Sequence, residues 1–177
     1  MLKPLPIIGI CAAGSNAGKT TLITKLIPEL AKQGLRVSVI KHAHHQFDID
    51  HKGKDSYQIR EAGAVQTLIA SNKRWALMTE ITQEPNLTDL IAQIDSRYAD
   101  LILVEGFKQA AIPKIEVFRP NLNMPLLATQ DANIVAIASD AELNTYLGLN
   151  IPVLDLNNIA AIAAFLINHL IPQQSNA

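Results

Sequence analysis

The segment Gly14-Ser15-Asn16-Ala17-Gly18-Lys19-Thr20 constrains this chain more than any other. Before it runs a short apolar stretch, Leu5 to Ala12, bounded by Pro6 and Gly14, which reads as a buried parallel strand. After it, Leu22, Ile23, Leu26, Ile27 and Leu30 recur at helical spacing, with Pro28 as a source of a kink and Gly34 to end the helix. A strand, a glycine-containing turn of fixed length and Lys-Thr opening a helix together make a P-loop. Backbone N–H groups of such a turn converge on phosphate oxygens, Lys19 adds a point charge at the β and γ phosphates, and the Thr20 hydroxyl can ligate magnesium. The expected nucleotide-binding residues are therefore Gly14, Ser15, Asn16, Ala17, Gly18, Lys19, Thr20 and Thr21, with Lys19 also acting on the transferring phosphate. The first glycine of the general pattern falls at Ala13, which serves only with an ordinary backbone conformation, because positive φ is costly with a Cβ.

The rest of the chain alternates in a way that suits this beginning. Val37 to Ile40, Val65 to Ala70, Trp75 to Met78, Leu101 to Val104, Ile115 to Phe118, Ile134 to Ala138 and Val153-Leu154 read as strands. Helical spacing recurs over Tyr57 to Gly63, Leu87 to Ile94 and Ile159 to Leu170, the first opened by Asp55-Ser56 as a cap. Alternation of this kind implies βαβ units. The expected architecture is α/β and P-loop NTPase-like, a predominantly parallel sheet with helices on both faces, in one domain over residues 1–177 with a polar tail from about 172. A chain of 177 residues is about the size of one domain and can bury roughly 70% of its extended surface.

The clearest interior strand ends in an acid, Leu101-Ile102-Leu103-Val104-Glu105-Gly106. Ligands of parallel sheets lie at the carboxyl ends of the strands, so Glu105 belongs at the nucleotide edge, and it is the candidate to bind magnesium and orient an attacking water. Asp100 does not; five residues at about 3.3 Å each place it at the opposite edge. The loop from Lys41 to Asp55 follows the second strand, so Lys41 faces a phosphate or a second anionic substrate. His42, His44 and His45 with Asp48 and Asp50 resemble a transition-metal set, but His-x-His-His in a loop lacks the i, i+4 geometry of zinc sites, and a polar loop is the plainer reading.

Composition narrows the function class. The net charge is −1 and the pI is near 6.5, so the basic footprint of a nucleic-acid binder is missing. No apolar run reaches the roughly 18 residues that span a bilayer. The lone cysteine, Cys11, has no disulfide partner and fits a reducing, cytoplasmic setting. No nucleic acid and no membrane are expected as partners.

Several segments together are more specific than a P-loop. Lys41-His42-Ala43-His44-His45, Phe47-Asp48-Ile49-Asp50, Gly53-Lys54-Asp55-Ser56, Arg60-Glu61-Ala62-Gly63-Ala64 and Leu103-Val104-Glu105-Gly106-Phe107-Lys108 closely resemble the MobB family. These are GTP-binding adaptors of molybdopterin-guanine dinucleotide biosynthesis, a branch of molybdenum cofactor biosynthesis. The resemblance is dense from Ile10 to Lys108 and loose after Arg119. It implies GTP with Mg2+ as cofactors, weak GTPase activity, a homodimer, and association with the partner enzyme, a molybdopterin guanylyltransferase, that attaches GMP to molybdopterin. Val-Glu-Gly and the helix-start Asp also look like dethiobiotin synthetase and related P-loop ligases. In that wider class the matching residues, Thr20, Asp55 and Glu105, bind magnesium. Asn16 stands where the family commonly has glycine.

Guanine preference has no Asn-Lys-x-Asp signature behind it here. Asp140, after the strand Ile134 to Ala138, is one acceptor for guanine N1 and N2 hydrogens; a surface-loop aspartate is the plainer reading. None of the five arginines is fixed near the P-loop by spacing, so slow hydrolysis is expected. An adaptor is the leading reading. A dethiobiotin synthetase-like ligase or kinase acting on a small anion is the alternative, and a nucleotide kinase is weaker because no Arg-rich lid is evident.

Overall fold

In the computed structural model, which describes residues 4–43, 47–141 and 150–170, six strands pair side by side. They are β1 (Ile7–Cys11), β2 (Val37–Lys41), β5 (Leu101–Glu105), β6 (Lys114–Phe118), β7 (Ile134–Ser139) and β8 (Val153–Asp155). Their order is β2-β5-β1-β6-β7-β8, and every pairing in this sheet is parallel. A parallel sheet must be covered on both faces, which is why β5 is buried at all five positions and reads as an unbroken apolar run.

Alternation along the strands divides the core. Ile8, Ile10, Leu101, Leu103, Ile115, Val117, Ala136 and Ala138 join Leu22, Leu26 and Leu30 of α1 (Lys19–Lys32) and Ile162 and Leu166 of α4 (Ile159–Leu170) in one apolar cluster. The two helices also pack on each other. Pro28 lies inside α1. Beneath the opposite face run the segment 107–113 and the helical turn Leu127–Thr129. The backbone of Gly9 donates to Pro113 O at 2.8 Å.

That second face holds charge. Lys114, almost wholly buried, donates to Lys108 O at 3.0 Å and Ala110 O at 2.6 Å and pairs with Asp131 at 2.7 Å. Glu116, fully buried, accepts from the backbone N–H groups of Leu127 and Ala128, both at 2.8 Å. Burial pushes the Glu116 carboxyl above its ordinary range, although those two donors oppose it. Burial, with Glu116 nearby, pushes the Cys11 thiol up to about 12, so it is an inert core thiol.

The described chain forms two compact units, one of residues 1–42 and 91–177, the other of residues 43–90. The second unit contains α2 (Asp55–Glu61) and an antiparallel hairpin, β3 (Gln66–Ala70) with β4 (Trp75–Thr79). Its turn is tied by Ser71, whose N–H donates to Arg74 O at 2.9 Å and whose hydroxyl oxygen accepts from Lys73 and Arg74 N–H. Arg60 of α2 gathers Asp48, Asp50, Glu61 and Glu80. The chain returns to the first unit within α3 (Leu87–Ile91), which is shorter than its apolar spacing predicts.

One local expectation is corrected. Asp55 is the first residue inside α2 rather than its cap; Lys54 takes the extended capping position, and no side chain caps the helix. The Asp55 charge instead favours the positive helix start from within the first turn.

Candidate functional site

Where β1 ends, the chain turns through Ala13 to Gly18 and enters α1 at Lys19. Ala13 has negative φ, as alanine at the first pattern position requires, whereas Asn16 has φ 62 and Gly18 has φ 102. Asparagine is among the residues that tolerate the left-handed region, so Asn16 fits the turn where glycine is the more common choice. Lys19 is folded back onto the turn, its ammonium donating to Gly14 O at 3.0 Å. Ser15 and Asn16 are exposed, Ala17 is buried beneath them, and Thr21, exposed, is the third residue of the Lys-Thr-Thr helix start.

Parallel register brings the first flank of the site together. Glu105 pairs with Ile10 on one side and with Lys41 on the other, so the ends of β1, β5 and β2 are level. The Thr20 hydroxyl donates to Glu105 Oε1 at 2.8 Å. Lys41 lies beside both, its ammonium 3.5 Å from Glu105 Oε1 and 3.4 Å from Thr20 Oγ1. Gly106 makes this convergence possible. Its φ is 95, and a Cβ there would lie 2.7 Å from His42 Cβ, while the His42 N–H donates to Glu105 O at 2.9 Å. The His42 ring rests against Phe107, centroids 4.8 Å apart.

These oxygens suit magnesium. An octahedral ion with ligands at about 2.1 Å separates neighbouring ligand oxygens by roughly 3.0 Å, close to the Thr20–Glu105 spacing of 2.8 Å. The pair is hard, oxygen-only and small in number, as expected of an ion that keeps several waters. Asp55, the third expected ligand, opens α2 in the second unit. The transition-metal reading of the histidine loop falls partly on His44 and His45, which lie outside the described residues. Among the described residues, no group of three or more His, Cys, Asp or Glu side chains is placed to hold a metal. Asp100 stands at the far end of β5 as expected, paired with Arg36 at 2.8 Å.

The second flank was not legible in the spacing. Arg119, one residue beyond β6, donates from Nε to Ala17 O at 3.0 Å, and its Nη1 pairs with Asp140 Oδ2. Its Nη2 is 3.5 Å from where a Cβ on Gly18 would stand. The expectation that spacing fixes no arginine near the P-loop is thus corrected by the fold: β6 and β7 pair parallel, with Phe118 opposite Ser139, so the next residue of each strand leaves at the same edge. The available signal was position: each is the residue immediately after a strand, at the carboxyl edge that also holds Glu105.

The MobB family model, described as molybdopterin guanine dinucleotide synthesis protein B, matches residues 7–140. The molybdopterin-guanine dinucleotide biosynthesis adapter protein of Escherichia coli (strain K12) is 45% identical over 166 residues, covering 92% of each chain. The protein of the same description from Haemophilus influenzae is 44% identical over 170 residues, covering 96% of this chain and 92% of the other. Among solved structures, Bacillus subtilis MobB superposes with a TM-score of 0.73 at 25% identity, over 96% of this chain and all of that one. A crystal structure of molybdopterin-guanine biosynthesis protein B gives 0.70 at 28% identity, over 93% and 99%. With the sheet order, the P-loop and matches that span most of its length, the chain belongs to the MobB family.

Proposed function

We propose that this protein is a GTP-binding adaptor of molybdopterin-guanine dinucleotide biosynthesis, acting in the cytoplasm on the enzyme that attaches GMP to molybdopterin. The observation that carries the nucleotide part is the Thr20–Glu105 pair at the mouth of the P-loop, 2.8 Å apart at the level ends of β1 and β5. Mg2+ would be held by Thr20 and Glu105 and, by family resemblance, Asp55, and would supply charge neutralisation between phosphates. Lys41, beside Glu105 and Thr20, would add positive charge facing the phosphates. Lys19 would exchange the Gly14 carbonyl for a phosphate oxygen. Guanine preference is assigned to Asp140, whose carboxylate can accept from guanine N1 and N2 and leaves adenine unmatched. Titration calorimetry with Mg·GTP and Mg·ATP tests this reading. Micromolar or tighter GTP binding that disappears on chelation supports it, and absence of binding ends it. Rapid turnover of a small acid without any protein partner would move the assignment to a dethiobiotin synthetase-like ligase.

We propose a homodimer as well, a reading that the exposed apolar side chains of the second unit support. An isolated hairpin is marginal in water, yet β3 and β4 carry Leu68 61% exposed and Trp75 63% exposed, flanked by Val65 and Ile81 at 73% and 59%. Apolar side chains in such density on an unextended two-stranded sheet favour burial against a second copy. Light scattering of wild type should give twice the chain mass. Leu68→Lys with Trp75→Lys should give a monomer or an insoluble chain, and an unchanged dimer would place the interface elsewhere.

A further inference from the structure

Arg119 joins two parts of the site that the motifs treat separately. A P-loop works through backbone amides that face phosphates, and here the Ala17 carbonyl precedes Gly18 at φ 102. The Arg119 Nε–H caps that carbonyl at 3.0 Å, and the Nη1 end of the same planar guanidinium holds Asp140 Oδ2. Asp140 Oδ1 has no partner among the described residues. A guanidinium is a rigid fork with donors at fixed separations. It therefore fixes the distance from the phosphate-binding turn to the Asp140 carboxylate, which it engages at Oδ2. Gly18 has a further role here. Any side chain there would be strained and would point at Arg119 Nη2.

Resting on the nucleotide reading above, we infer that Arg119 is the positioning residue for base selection. It braces the P-loop at Ala17 and presents the Asp140 carboxylate to a purine nucleotide carrying both an N1 hydrogen and an exocyclic 2-amino group. The phosphate grip and base choice are then set by one side chain, not by two independent contacts. Discrimination comes from geometry. A purine lacking those donors leaves the Asp140 oxygen facing an unmatched edge.

The experiment measures Kd for GTP, ITP and ATP with Mg2+ by calorimetry on wild type, Arg119→Lys, Arg119→Ala, Asp140→Ala and the double Ala variant, with thermal melts as the fold control. Wild type should favour GTP over ITP and ATP by about tenfold or more, the size expected when one donor pair is matched or lost. Arg119→Lys should bring both ratios within about threefold of unity while still binding nucleotide, because an ammonium replaces the charge but not the two-ended fork. The double variant should be no less selective than either single one, since the two residues act in series. Xanthosine triphosphate offers a further readout. Asp140→Asn should gain affinity for XTP, whose C2 oxygen accepts from an amide, and this gain should vanish when Arg119→Ala is added. If Arg119→Lys and Arg119→Ala weaken all nucleotides equally and keep the wild-type ratios, Arg119 only stiffens the P-loop and the inference is overturned. If wild type binds no nucleotide, the nucleotide reading fails first, and that result is distinct from binding with unchanged ratios.

Discussion

The two flanks of the P-loop are built by the same rule and differ in how much of it is local. On the β5 and β2 side, Glu105 and Lys41 end adjacent strands, and Thr20 reaches Glu105 from the first turn of α1. On the β6 side, Arg119 and Asp140 also follow adjacent strands, and Arg119 reaches the turn from below at Ala17. The first flank is a cluster of oxygens with a cation beside it, suited to metal and phosphate. The second is a single ion pair, suited to fixing distance. A parallel sheet thus delivers charged residues to one edge at both sides of the loop, and residue type decides which task each side performs.

The strongest way to break this comparison is to remove what both flanks share. Lys19→Ala and Thr20→Ala should each reduce Mg·GTP affinity by about 100-fold or more, since a cation and a metal ligand at the phosphates are lost. The melting temperature should change little, because Lys19 and Thr20 lie outside the apolar cluster around Leu22 and Leu26. Normal affinity by calorimetry in either variant would remove the phosphate site itself.

The next test separates the flanks. Glu105→Gln and Asp55→Asn should weaken the magnesium dependence of GTP binding by about tenfold while leaving the GTP:ATP ratio as in wild type. A shift in base preference in Glu105→Gln would mean that the two sides are not separable. Lys41→Ala sharpens the same flank from the other direction. Loss of the ammonium beside Glu105 should ease metal entry and slow hydrolysis, and wild-type turnover should already fall well below the roughly 1–100 s⁻¹ of phosphoryl-transfer enzymes. Arg119 is held by Ala17 and Asp140, so no arginine of the first unit is placed by these contacts to stabilise charge on a γ-phosphoryl group. Single-turnover measurements with labelled GTP would check both points, and fast intrinsic turnover would refute the expectation of slow hydrolysis.

What could be read from the sequence follows the same division. β1, α1, β5 and α4 carry strong periodicity or unbroken apolar runs, and a P-loop has fixed internal spacing, so Lys19, Thr20 and Glu105 could be placed without coordinates. α4 spans Ile159–Leu170, the limits its apolar spacing indicates. Arg119 and Asp140 are 21 positions apart and meet only because β6 pairs with β7, a tertiary fact that spacing does not encode. Asn16 was legible as an oddity but not as a solution; φ 62 explains it. The cap at Asp55 was misplaced by one residue because Asp is favoured both as a cap and inside the first turn. The hairpin of β3 and β4 was visible as two strands. Its antiparallel pairing depends on the Ser71 turn, whose hydrogen bonds involve a hydroxyl that composition alone does not direct.

The smallest expected effect comes from the opposite end of β5, where Asp100 serves as a control for position. Asp100 and Glu105 are the acids before and at the end of one strand, five residues apart, and only Glu105 is at the P-loop edge. The Arg36 guanidinium and backbone N–H hold the Asp100 carboxyl down at about 2, from an ordinary 3.8. A depressed carboxyl pKa stabilises the folded state fully above the ordinary value, and this contribution fades as pH falls from about 3.8 through about 2. Arg36 and Asp100 are half and one-third exposed, so solvent screening keeps the contribution small at any pH. Asp100→Asn should therefore lower the melting midpoint near neutral pH by no more than about 3 °C. The difference from wild type should shrink below pH 3 and also in high salt. Mg·GTP affinity and the GTP:ATP ratio should be unchanged. Measuring melts across pH alongside calorimetry checks all of these together. A loss of nucleotide affinity in Asp100→Asn comparable to that in Glu105→Gln would mean that the position of an acid along β5 does not decide its role, and the assignment of the carboxyl edge as the functional edge would fail with it.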